Sequence, residues 1–142
     1  MSRLKIALAL GVALIATATT HRASAQQTQT CTERSIRGTY FYTIVGSSIT
    51  PDPIPFAAIG KLVLNGNGGI TTNVTLSENG TIASSQTATG NYVVNTDCTG
   101  SFSMAANTGA IVFTFNFVID SSGEMRAIST TSQTVLTLDA KK

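Results

Sequence analysis

Two cysteines, Cys31 and Cys98, one histidine, His21, and seven carboxylates carry most of the reactive chemistry of this chain. Their positions limit what they can do. His21 lies in an N-terminal stretch laid out like a removable export signal: a basic start over Met1–Lys5, an apolar run over Ile6–Ala18, and the small residues Ala23-Ser24-Ala25 at the processing point. Once that stretch is cut away no histidine remains, so neither a Ser-His-Asp triad nor a Cys-His dyad can be assembled. Serine is abundant, but its hydroxyl is a poor nucleophile without a neighbouring histidine or a lysine in a suitable pocket. Lys61, the sole lysine between the export segment and the C-terminal pair, reads as projecting from a strand into solvent.

The carboxylates Glu33, Asp52, Glu78, Asp97, Asp120, Glu124 and Asp139 all fall outside the clearest apolar runs. Two of them converging across a cleft could run glycoside hydrolysis. Solvation, charge pairing and turn formation through side-chain to backbone bonds are the simpler uses. Asp120-Ser121-Ser122-Gly123-Glu124 is too short for a twelve-residue calcium loop and reads as a turn. Without a histidine in the mature chain no metal site is expected, and a phosphate-cradling Gly-Lys motif, a paired-cysteine zinc spacing and a regular stacking motif on a basic groove are missing too. No cofactor is implied. Asn73-Val74-Thr75 and Asn79-Gly80-Thr81 fit the N-glycosylation pattern, but a wet strand face and a turn already account for them.

Charge depends on the same cut. The 142 residues carry nine Lys/Arg and seven Asp/Glu, a formal +2, yet three of the basic residues (Arg3, Lys5, Arg22) leave with residues 1–25. The remaining 117 residues stand at −1, with their cations scattered, which argues against nucleic acid as a partner. An apolar run of 13 residues is shorter than the ~20 needed to cross a bilayer, so the mature chain is expected to be secreted or periplasmic without membrane insertion. In that compartment Cys31 and Cys98 most simply form one disulfide; free thiols or a metal pair are the alternatives. Residues 26–32, QQTQTCT, read as a flexible arm before a single β domain over residues 33–142.

Within that domain, short apolar runs are broken by Gly, Asn, Asp or Ser, and no ten-residue window has helical spacing. The expected strands begin with Thr39–Val45; a proline-rich loop, Ser47–Pro55, separates it from Phe56–Leu64. Asn65–Gly69 offers a tight reversal into Ile70–Ser77. Glu78-Asn79-Gly80 turns into the Ser/Thr-rich Thr81–Thr89, read as an edge or rim strand able to recruit another chain. Gly90–Val94 and Ser101–Met104 flank Asp97–Gly100, and Ala110–Ile119 alternates with a period of two, placing Ile111, Phe113, Phe115, Phe117 and Ile119 on one face. Met125–Ser129 and Thr134–Leu138 complete an all-β, antiparallel meander of eight or nine strands, closing as a small barrel or, alternatively, packing as a β-sandwich.

Gly38-Thr39-Tyr40, the Gly-rich turn after Gly60–Leu64, and Gly90-Asn91-Tyr92 leading to Asp97-Cys98-Thr99-Gly100 resemble small secreted bacterial barrels, lipocalin-like or allene oxide cyclase-like in shape. The resemblance spans roughly residues 31–140 and implies a barrel; the Gly-x-Trp opening usual in lipocalins is Gly38-Thr39-Tyr40 here. By shape alone it also leaves room for a cyclase or isomerase acting on a small molecule. Phe113, Phe115 and Phe117 are expected either to fill the centre or to line a cavity for an apolar ligand, with Tyr40, Tyr42 and Tyr92 as a polar rim. The functional expectations are therefore a binding module for a small apolar molecule, an interaction protein that self-associates through an edge strand, or that small-molecule enzyme.

Overall fold

The computed structural model describes residues 30–49, 51–106 and 112–142. The stretch expected to be an export segment, most of the expected arm, and Gly109, Ala110 and Ile111 lie outside the described residues. Eight strands follow in order: β1 (Gly38–Ser48), β2 (Ile54–Leu64), β3 (Gly69–Glu78), β4 (Thr81–Val94), β5 (Thr99–Ala106), β6 (Val112–Ile119), β7 (Met125–Ser129) and β8 (Thr134–Lys141). Each pairs antiparallel with its sequence neighbour, and β1 pairs with β8 from Phe41↔Lys141 to Ser48↔Thr134. The sheet therefore closes on itself as an up-and-down barrel, not a sandwich. No helix among the described residues is long and apolar enough to cross a membrane.

The strand count is eight because the expected rim strand and Gly90–Val94 are one continuous β4. Gly90 reads as a break in the sequence, but it pairs with Met104 inside the ladder. A side chain there would run into the carbonyl of Ser103, so the glycine allows two strands to approach closely. The expected Ser47–Pro55 loop is shorter than its prolines suggest: the ladder extends through Ser47↔Pro55 and Ser48↔Ile54. Pro55 is accommodated near the start of its strand, where pairing of β2 with β3 begins one residue later at Phe56.

Alternation sorts the side chains. Tyr40, Tyr42 and Ile44 on β1, Leu62 and Leu64 on β2, and Leu136, Leu138 and Ala140 on β8 point to the axis and are buried. Thr39, Phe41, Thr43 and Val45 alternate with the β1 set and face out. Phe102 stacks on Phe115 at 5.0 Å and lies 6.1 Å from Phe117, forming the aromatic centre of the core.

The two ends of the barrel differ. At the end where β1 begins, the segment before it folds across the opening, with Ile36 and Cys31 buried. Cys31 is bonded to Cys98 in the β4–β5 turn, a span of 67 positions, and its amide donates to the Thr96 carbonyl at 3.2 Å. Tyr92 Oη donates to the Glu33 carbonyl at 3.1 Å and accepts from the Gly66 amide at 2.9 Å. Tyr40 Oη donates to the Ile36 carbonyl at 3.0 Å. Burial, followed by the repulsion of a second phenolate at Tyr92, pushes the Tyr40 phenol up to about 12.

Candidate functional site

Toward the other end the interior is not filled. A cavity of about 250 Å³ lies inside the barrel between β1 and β6. Its aliphatic wall is Ile44, Val74, Leu76 and Met104, and its aromatic wall is Phe56 and Phe113, whose ring centroids are 6.0 Å apart. The space exists because four inward positions at this level are alanine: Ala58, Ala83, Ala88 and Ala106. The registers bring them together: Ala88 pairs with Ala106, while Ala58 and Ala83 both pair with Leu76. Equivalent positions in the sealed half carry Leu62, Leu64, Ile70 and Phe102.

Four polar residues also line the cavity. Tyr42 and Thr72 form a buried pair, Oη to Oγ1 2.8 Å. Tyr42 belongs to β1 and Thr72 to β3, so the phenol must cross β2 to make this bond. It crosses at Gly60, its own ladder partner; a Cβ there would stand 2.8 Å from Oη. Burial raises the Tyr42 phenol above its ordinary value, partly offset by the bond to Thr72, so the ring keeps its proton and remains a donor.

Gln86 reaches the cavity through an irregularity in β4, while the neighbouring Thr87 is an exposed residue at its margin. Val74 pairs with Gln86 and Leu76 with Ala83, so Thr75 alone faces both Ser84 and Ser85, with Ser85 at φ 54°. One extra residue reverses the alternation of the strand. Ala83 and Gln86, three positions apart, consequently both face the cavity, and Gln86 Nε2 donates back to the Ser84 carbonyl at 2.9 Å.

Of the six aromatic candidates, the structure brings Tyr42 and Phe113 to the cavity wall. Phe115 and Phe117 lie in the solid core on Phe102, while Tyr40 and Tyr92 hold the sealed end. Phe56, Thr72, Gln86 and the alanines were not singled out from sequence. Asp97 and Asp120 sit in turns: Asp97 Oδ1 accepts from Thr99 N and Oγ1, and Asp120 Oδ1 from Ser122 N and Oγ and from Glu124 N. Those hydroxyls and amides hold both carboxyls below the usual range. Glu124 pairs with Lys141 and Asp139 with Arg126 on the outer wall, and Lys61 is exposed on β2.

A larger concavity, about 650 Å³, is a furrow on the outside of β4–β7 between Val93, Val118 and Ile128. These side chains point to solvent, so a ligand there would stay largely wet, whereas the interior site surrounds its occupant with strands. Comparison with protein-family models, curated proteins and solved structures gave no match to this chain. The interior's own chemistry is thus what bears on function.

Proposed function

We propose that this chain is a secreted or periplasmic binding module that holds a small, neutral, mainly apolar molecule inside the barrel. The observation carrying this reading is the alanine-bounded cavity of about 250 Å³, enclosed by aliphatic and aromatic side chains with a few uncharged polar groups. A dry cavity of about 150 Å³ accepts benzene, so this one suits a molecule of about ten carbons. An ionised ligand would lie in a low-dielectric interior without a charged partner, at a cost of several kcal/mol. Disulfide-tied small domains are at home in oxidising compartments, which agrees with export.

Methyl NMR of the mature chain titrated with naphthalene tests the reading. Saturable shifts of Val74, Leu76 and Met104 are expected, and Ala88→Phe, which fills the cavity, should abolish them. Unchanged resonances at saturating naphthalene would sink it.

A second reading, self-association, draws on the outer surface. The Ser/Thr-rich start of β4, Thr81–Gln86, pairs with β3 on the outer wall. Ile82 and Ile59 are exposed there. Sedimentation that stays monomeric across a wide concentration range, with hydrogen exchange in Thr81–Gln86 independent of concentration, would dismiss this reading.

A further inference from the structure

We infer that the cavity selects ligands bearing an uncharged hydrogen-bond acceptor, a ketone, aldehyde, ester or ether oxygen, which docks on the Tyr42–Thr72 hydroxyl pair. This rests on the proposed apolar binding site and specifies its ligand class.

The inference follows from counting protons. Tyr42 and Thr72 carry one O–H each, and a single bond joins Oη to Oγ1 at 2.8 Å, with either atom able to donate. One proton satisfies that bond. Whichever oxygen accepts it still owns a proton of its own, and no other hydrogen bond to either hydroxyl forms among the described residues. Both side chains are buried, Tyr42 at 3% and Thr72 at 6% exposure, so the spare donor faces the cavity and not bulk water. A buried donor without an acceptor is costly, whereas a spare lone pair on the same oxygens costs less. The cavity therefore has a stronger demand for an acceptor than for a donor.

The rest of the wall agrees. One N–H of the Gln86 amide goes to the Ser84 carbonyl, in a bond exposed to solvent. The other cavity-facing groups around the pair, Ile44, Ala58, Val74 and Met104, are apolar. A ligand with one acceptor oxygen on a hydrocarbon body satisfies the spare proton and leaves its remaining surface against carbon. Because each oxygen of the pair owns a proton, either hydroxyl alone still supplies one to the ligand.

The experiment compares 1-tetralone with its hydrocarbon counterpart tetralin, by calorimetry or methyl NMR, on the full mature chain with its disulfide intact. Wild type should prefer tetralone on the order of tenfold. Tyr42→Phe and Thr72→Val, each alone, should retain a preference, while the double variant should lose it and still bind tetralin. The carbonyl stretch of bound tetralone should shift to lower frequency in wild type and not in the double variant.

Equal binding of tetralone and tetralin by wild type would overturn the inference while leaving an apolar site in place. Loss of the preference on Thr72→Val alone would also overturn it, because Tyr42 would still offer its proton. Failure of both compounds to bind would overturn the underlying cavity reading. The wild-type comparison decides the matter even where the double variant does not fold.

Discussion

Tyr42 Oη meets Thr72 Oγ1 at 2.8 Å although the two residues stand on strands that do not pair with each other. Gly60 on the intervening β2 makes the contact possible, since any side chain there would stand against the phenol. One absent methyl group thus sets the polar floor of the cavity.

Gly60→Ala should consequently destabilise the barrel and disturb the cavity together. A Cβ 2.8 Å from Oη and 2.5 Å from the Asn73 carbonyl cannot be absorbed by a terminal side-chain movement alone. Overpacking of this kind costs about 1–3 kcal/mol. Urea unfolding should show a lower midpoint with an unchanged slope, accompanied by altered near-UV tyrosine dichroism; wild-type behaviour in both would refute the crossing argument.

The sealed end should depend on Tyr92 more than on Tyr40. Tyr92→Phe removes a donor to Glu33 and an acceptor for the Gly66 amide, leaving that N–H to be satisfied elsewhere. We expect a loss of about 1–3 kcal/mol, against about 0.5–1.5 kcal/mol for Tyr40→Phe, which gives up the single bond to Ile36. Chemical denaturation of the two variants side by side provides the ranking.

Breaking the Cys31–Cys98 bond should be costlier than either. Its span of 67 positions corresponds to roughly 4 kcal/mol in the loop-entropy relation. Cys31→Ser/Cys98→Ser should show a loss of that order in denaturant, with faster amide exchange at Glu33–Ile36. Protection there equal to wild type would mean that the tyrosine hydroxyls suffice to hold the segment.

Alkaline pH should destabilise the protein, with Tyr40 as one contributor. Its folded value is about 12 against an ordinary 10.0, so the folded chain binds the proton more tightly than the unfolded chain. Stability from this group is complete below pH 10 and is lost as pH rises toward 12. Tyrosinate absorbance at 295 nm should rise in step with loss of β-sheet dichroism across that window, and Tyr40→Phe should flatten the slope.

At the acid end the sign reverses. Asp97 and Asp120 are held below the ordinary 3.8 by the hydroxyls of Thr99 and Ser122, so their contribution is present above that value and disappears as pH falls through the lowered ones. Carboxyl NMR titration should find both protonating below the ordinary 3.8, and Thr99→Val should move Asp97 upward.

Much of the barrel is legible in the chain because a strand's alternation is local: Phe113, Phe115 and Phe117 must share one face whatever lies opposite. The Asn65–Gly69 reversal, the Asp120 turn and the pairing of two cysteines likewise depend on short-range conformation or on there being no other partner. Gly90 misleads at this level, since a glycine that ends a strand and one that lets two strands approach look alike until the neighbour is known.

Tertiary structure alone decided which phenylalanine faces a void. Phe115 and Phe117 meet Phe102, whereas Phe113 sits at the level of Ala58, Ala83, Ala88 and Ala106. Those alanines come from three strands, and only the inter-strand registers, including the extra residue at Ser84–Ser85, stack them at one height. Local alternation is enough to specify an all-β chain with inward and outward faces; closure and register, which are non-local pairings, set one half of its interior packed and the other half open.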